Sequence, residues 1–149
     1  MREIEVKFKV LEGRATSLPM PSYATDGSAG LDIVASVRTM IPPFSGRTAV
    51  RTHLAVEIPE GYEMQIRSRS GLAVNHGVAV LNSPATIDSD YRGELMVILT
   101  NHGDAAYEVR SGDRIAQLLL AEVIRMKPTV VESLSSTGRA GGGLGHTGR

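Results

Sequence analysis

An all-β fold is what this sequence predicts: an antiparallel jelly-roll-like barrel or sandwich with one short helix and a flexible C-terminal arm. Three observations predict it. Short runs rich in Val, Ile, Leu and Thr recur along the chain, turn residues interrupt them at close intervals, and no long stretch repeats its apolar positions every 3.6 residues. Strands punctuated this often suit antiparallel pairing and not a succession of βαβ units.

Residues 3–10, EIEVKFKV, alternate strictly, with Ile4, Val6, Phe8 and Val10 on one face and Glu3, Glu5, Lys7 and Lys9 on the other. That is the pattern of a half-buried strand. Further strands are expected over 31–37, 47–58, 62–68, 77–81, 94–101 and 114–124, separated by the turn signals TDGSAG, PPFSG, PEG, NHG, NSP, DYRG, NHGD and RSGD. SGLAVN (70–75) reads as one short helix with Ser70 as its N-cap. After Val131 the apolar pattern stops, which divides the chain into a β domain over 1–132 and an arm over 133–149. The arm ends in RAGGGLGHTGR (139–149), where five of eleven residues are Gly. Such a run is costly to order. It either stays loose or folds over a ligand, because glycine lets backbone amides approach a phosphate and Arg adds a charged fork.

Composition narrows the function. The 149 residues carry 16 Lys plus Arg against 16 Asp plus Glu. A neutral chain has no electrostatic reason to bind nucleic acid or an anionic membrane, so positive charge for an anionic ligand has to be gathered locally. No Cys is present, which excludes a thiolate nucleophile, a disulfide framework and a cysteine zinc site. The four histidines (His53, His76, His102 and His146) lack metal-ligand spacing, and His76 and His102 each stand between Asn and Gly, as in turns. No apolar signal core opens the chain and no apolar run is long enough to span a bilayer, so a soluble cytoplasmic protein is expected.

Three stretches could carry chemistry. In IRSRSGLA (66–73), Arg69 beside Ser70 and Gly71 could offer a guanidinium, a hydroxyl and free amides to one anion; the same residues also fit an exposed Arg before an ordinary helix start. In LNSPATIDSDYRGE (81–94), a hairpin tip with Asn82 and Pro84 runs into Asp88, Asp90 and Tyr91. That suits a general base near a stacked ring, or a solvated turn with a core tyrosine. In SGDRIAQLLL (111–120), alternation puts Ile115, Gln117 and Leu119 on one face, and Gln117 needs a hydrogen-bond partner, either a ligand or a neighbouring strand.

Taken in order, SAGLDIVAS (28–36), SRSGLA (68–73), NSPATIDSDYRG (82–93), GDRIAQ (112–117) and RAGGGLGHTG (139–148) resemble the five motifs of the homotrimeric dUTP diphosphatases. The match spans nearly the whole chain, and the YATDGSAG lead-in (23–30) is similar as well. The resemblance implies hydrolysis of dUTP to dUMP and diphosphate, supplying dUMP for dTMP synthesis. Water attacks the α-phosphorus while Mg2+, held mainly by phosphates and water, withdraws charge. It implies that Asp88 orients and deprotonates that water. Asn82 and the backbone around Thr86, Ile87, Asp88 and Met96 would pair with uracil, and Tyr91 would pack under deoxyribose and exclude a 2′-hydroxyl. Arg69, Ser70, Gly71 and Gln117 fall on phosphate-contacting positions, and Asp32 on a supporting acid. It also implies sites shared by three subunits, with the arm of one closing over substrate held by its neighbours. Arg139 would reach the γ-phosphate, Leu144 would lie over the base, and Gly145 would also bind substrate, the arm's glycines letting its backbone wrap the phosphates.

Three residues depart from that pattern. Leu144 replaces an aromatic that stacks on uracil, a change expected to cost about 1 kcal/mol. Ala140 stands where Gly is common in the arm. Ala85 replaces a frequent Gly, and its Cβ would crowd the base if φ were positive there. The related dCTP deaminases need a buried Glu on the following strand; that position here is Ile98, which cannot move protons. A non-catalytic nucleotide-binding or protein-binding jelly roll is the other alternative, and it would be expected to have lost Asp88, Arg69 or the arm's Arg.

Overall fold

The computed structural model describes residues 3–143. Among them are eleven strands and one helix, and every strand pairing is antiparallel. One sheet has four strands in the order β1 (Lys7–Val10), β5 (Gly46–Glu57), β9 (Glu94–Asn101) and β7 (Val78–Val80). A second has five, in the order β2 (Ser22–Tyr23), β3 (Leu31–Val34), β11 (Arg114–Glu122), β6 (Tyr62–Arg67) and β8 (Ala85–Ile87). β10 (Tyr107–Val109) pairs with β4 (Thr39–Ile41) as a separate ribbon. Ile33, Ile66, Ile115 and Leu118 from the five-stranded sheet share one buried cluster with Val50, Leu54, Leu95, Val97 and Leu99 from the four-stranded sheet. Burial of each such side chain contributes about 1.5–3 kcal/mol, so this shared core holds the sheets together.

β9 shows the period most simply: Leu95, Val97 and Leu99 are buried, while Met96 and Ile98 between them are exposed. The first strand is shorter than the alternation over 3–10 predicts. It begins at Lys7, opposite Glu57. Val6 and Phe8 still pack against the core, but Val10 is exposed, because alternation fixes a face and not whether that face is covered to its end. The short strands β2, β4, β8 and β10 have too few residues to show a period.

Two irregularities shape the functional region. β11 shifts register against β3 between Arg114 and Ala116, a bulge that turns Ile115 inward. Ile115, Ala116 and Leu118 are therefore all buried, whereas Gln117 and Leu119 are half-buried on the other face, correcting the single face expected for Ile115, Gln117 and Leu119. In β5 the register against β9 shifts between Arg51 and Ala55, and His53 within the shift has φ 49°.

The stretch around Asn82 is also not the tip of one paired hairpin. β7 pairs with β9 and β8 with β6, so residues 81–84 carry the chain from one sheet to the other. Burial on both sides of that crossing explains the choice: Val78 and Val80 before it, and Ala85 after it, all enter the common core.

The helix, α1 (Ser70–His76), starts from Arg69 and not from Ser70. The Arg69 carbonyl already accepts the Ala73 N–H at 3.1 Å, while its own backbone is extended, which makes it the N-cap. Gly77 ends the helix at φ 64°, a left-handed position that suits glycine. His76 and His102 lie at this end, His76 with its ring 4.9 Å from that of Tyr107 and His102 with Nδ1 3.2 Å from Ser45 Oγ. After Glu122 the described chain has no further strand, and Ile124, Met126, Val130 and Leu134 are exposed. Among the described residues no helix is long and apolar enough to cross a membrane.

Candidate active site

Asp32 on β3 is the centre of one cluster. Its carboxylate accepts from Arg114 Nη1 at 3.0 Å and from Gln117 Nε2 at 3.4 Å, and lies 3.5 Å from Arg69 Nε. Only 10% of the Asp32 side chain is exposed. Strand pairing produces this meeting, since Gln117 stands directly opposite Asp32 on one side and Arg67 on the other, and opposed residues share a face. Gln117 thus has a protein partner, the Asp32 carboxylate. Arg69 is held a second time, donating from Nη1 to the Arg114 carbonyl at 3.0 Å. Ser70 and Gly71 follow at the exposed start of α1, where a Cβ on Gly71 would meet nothing within 4 Å. Ser68 fastens this corner to β7 by accepting the Val80 N–H at 2.9 Å. Positive charge is gathered here, on one carboxylate and beside open space.

A second group lies at the turn between β8 and β9. Asp88 follows Ile87 directly and is exposed. Tyr91 donates its N–H to the Asp88 carbonyl at 3.1 Å and its hydroxyl to the Glu94 carbonyl at 3.1 Å, with 41% of the residue exposed. Arg92 Nη1 ties the turn by donating to the carbonyls of Ser89 (2.6 Å) and Tyr91 (2.9 Å). A cavity of about 960 Å3 opens beside it, lined among others by Tyr62, Glu63, Asp88, Asp90, Arg92 and Arg125. Among the described residues β8 is the last strand of its sheet, and its outer backbone edge along Thr86 pairs with no other strand. Met96 is exposed on β9, and Leu81 donates its N–H to the Ile98 carbonyl at 2.9 Å, which sets the Asn82 loop against β9. Ala85 is not among the residues with positive φ; it sits in β8 opposite Ile66, with 8% exposure. Its Cβ therefore faces the core and the crowding expected of it does not arise.

The turn rests on Glu94. Burial pushes this carboxyl up, but the Arg51 guanidinium (Nη2 to Oε2, 2.8 Å) and the His53 N–H (to Oε1, 2.8 Å) outweigh burial and leave it below the ordinary carboxylate range. The His53 N–H is freed by the β5 irregularity, so the bulge and the carboxylate complete each other.

The two groups do not meet within one chain. Gln117 stands opposite Arg67 at one end of β6, whereas Ile87, just before Asp88, stands opposite Met64 toward the other. Met64 and Arg67 are three residues apart on β6, about 10 Å at ~3.3 Å per residue, and Ile87 and Gln117 pair with opposite sides of that strand. Arg139 donates from Nε to the Gly142 carbonyl at 2.8 Å, and Ala140 takes φ 43° where glycine would be unstrained. Leu144 and Gly145 lie outside the described residues. Among the described residues no three His, Asp or Glu side chains gather as a metal cage.

Sequence reasoning missed Ser68 and Arg114. Arg114 lies inside GDRIAQ, but only the β3–β11 register reveals that it reaches Asp32.

An antiparallel β domain of two main sheets and a short ribbon, with a carboxylate-held arginine cluster and an exposed Asp–Tyr turn, is the class these features define. The dUTPase family model matches residues 16–148. The deoxyuridine 5′-triphosphate nucleotidohydrolase of Anaplasma marginale is 51% identical over 146 residues, covering 96% of this chain and 99% of that protein. That of Anaeromyxobacter is also 51% identical over 146 residues, covering 98% and 99%. A solved Staphylococcus bacteriophage 80alpha dUTPase mutant with dUpNHpp superposes with TM-score 0.84 at 22% identity, covering 97% of this chain and 99% of that one. Another, from phage phi11 of S. aureus, described with a structural Mg(II) ion, gives TM-score 0.76 at 21% identity, covering 89% and 100%. The chain belongs to the dUTPase family.

Proposed function

We propose that this protein hydrolyses dUTP to dUMP and diphosphate, as a homotrimer whose sites each draw on more than one chain. The observation that carries this reading is Asp88, exposed at the end of the free edge strand β8 with the Tyr91 ring one turn away. Uracil presents acceptor, donor and acceptor along one edge, and a fixed backbone edge around Thr86, Ile87, Asp88 and Met96, with Asn82 beside it, can match that order. Cytosine presents a different order and thymine adds a methyl. Tyr91 underlies the deoxyribose and leaves no room for a 2′-hydroxyl.

Asp88 takes a proton from water as the water oxygen bonds to the α-phosphorus. The bond from that phosphorus to the bridging oxygen breaks, giving dUMP and diphosphate. Positioning and charge screening supply most of the acceleration in such transfers. Arg69, Ser70, Gly71 and Gln117 of a neighbouring chain bind phosphate oxygens, and Asp32 holds Arg69 and Gln117 in place for that contact. Arg139 reaches the γ-phosphate as the arm, with Leu144 over the base and Gly145 also on the substrate, closes and excludes water.

Mg2+ would be carried mainly by the triphosphate and water, the usual manner of a cation that dehydrates reluctantly. When bound there, Mg2+ supplies charge withdrawal from the phosphoryl oxygens. The separation of Asp88 from the Arg69 cluster supports the shared site. A cytoplasmic location fits the absence of Cys. Ile98 stands on β9 without proton-transfer chemistry, which disfavours cytosine deamination.

Diphosphate release from dUTP, dCTP, dTTP and UTP with Mg2+, for the wild type and Asp88→Asn, tests the reading. Release from dUTP alone, lost by about 10²-fold or more in the variant, is expected. No release from any nucleotide by folded protein would instead make the chain a binding module.

A further inference from the structure

Gly93 has a role that neither its motif nor its turn explains. A Cβ built on its backbone would lie 2.3 Å from the Tyr91 hydroxyl oxygen, 2.5 Å from Tyr91 Cζ and 3.0 Å from Cε2. The phenol therefore occupies the volume that any other residue at position 93 would fill. Backbone conformation does not demand glycine here, because Gly93 is not among the glycines with positive φ. The demand is steric and comes from one side chain.

The ring is fixed from two further directions. Its hydroxyl donates to the Glu94 carbonyl at 3.1 Å, and the Glu94 side chain is anchored to Arg51 and to the His53 N–H. The Tyr91 backbone N–H donates to the Asp88 carbonyl at 3.1 Å. The hydroxyl bond and the fixed backbone resist a sideways shift of the ring, so a methyl group beneath it is expected to displace the ring toward its exposed side.

We propose that Gly93 is a specificity-determining positioning residue: its missing Cβ sets the depth of the Tyr91 ring, and through it the room available to the sugar. The inference rests on the reading of Tyr91 as the deoxyribose platform. An alanine at 93 raises the platform into the sugar's space while leaving Asp88 and the Arg69 cluster untouched.

The test is a double-mutant cycle with steady-state kinetics on dUTP and UTP for wild type, Gly93→Ala, Tyr91→Ala and the double variant. Wild-type hydrolysis of dUTP decides the functional reading separately; its failure would remove that reading before Gly93 is considered. With it in place, Gly93→Ala is expected to raise KM for dUTP roughly tenfold and to change the dUTP-to-UTP ratio of kcat/KM by a similar factor. In the Tyr91→Ala background the same substitution should change either quantity less than about twofold, because the added methyl meets no ring. Equal losses in both backgrounds, or unchanged kinetics in Gly93→Ala, would overturn the proposal. If Gly93→Ala alone does not fold, recovery of folding in the double variant supports the contact, and failure of the double variant to fold contradicts it.

Discussion

Asp32 Oδ1 lies 3.5 Å from Arg69 Nε as an ion pair, and with hydrogen bonds from Arg114 and Gln117 on the same carboxylate, one acid holds three side chains. The pair joins a strand to a helix start much later in the chain, and only 24% of the Arg69 side chain remains exposed. Its effect is to aim a cation that would otherwise sample many rotamers.

Asp32→Asn should therefore lower turnover of dUTP by about 10-fold to 10²-fold while leaving the protein folded, since a positioning loss near the reacting group acts on geometry. Activity together with circular dichroism would check this. Unchanged activity in folded Asp32→Asn would show that Arg69 needs no such partner.

Glu94 makes stability depend on pH. Its folded pKa lies below its unfolded value, so its contribution is complete above the unfolded carboxylate range and is lost as pH falls through the folded pKa. Glu94→Gln should cost about 1.5–3 kcal/mol at neutral pH, the scale of a hydrogen bond to a charged group. It should also flatten the loss of stability with acid, measured by denaturant unfolding from about pH 6 to about pH 3, a span that brackets the ordinary carboxylate range. An unaltered slope would place the acid sensitivity in other carboxylates.

Leu144→Phe supplies a π-face where the arm now offers an aliphatic side chain. A gain of about 1 kcal/mol corresponds to a fall in KM for dUTP of roughly fivefold. An unchanged or raised KM would show that the base is not covered from this position.

Much of this was legible in the sequence, for definite reasons. The β9 alternation survives in the fold because each of its faces meets one consistent environment, the core at Leu95, Val97 and Leu99 and solvent at Met96 and Ile98. The β11 pattern misleads because a bulge at Arg114–Ala116 shifts the period by one residue, and a bulge leaves no mark in apolar spacing. The same limit hid Arg114, whose reach to Asp32 depends on register. Gly93 reads as an ordinary turn glycine until the Tyr91 ring is seen in the place of its Cβ. The crossing at 81–84 looks like a hairpin locally; only the shared core shows that its two strands serve different sheets.

The most direct test of a site shared between chains is to mix two inactive proteins, Arg69→Ala and Asp88→Asn, unfold them together and refold them as mixed trimers. A site that takes Arg69 from one chain and Asp88 from another finds both intact with chance one half times one half, so about a quarter of wild-type dUTP hydrolysis should return. Recovery near that level, with each protein inactive when refolded alone, is the expected result. No recovery in trimers shown to be mixed would contradict it and would require Asp88 and Arg69 to act within one chain.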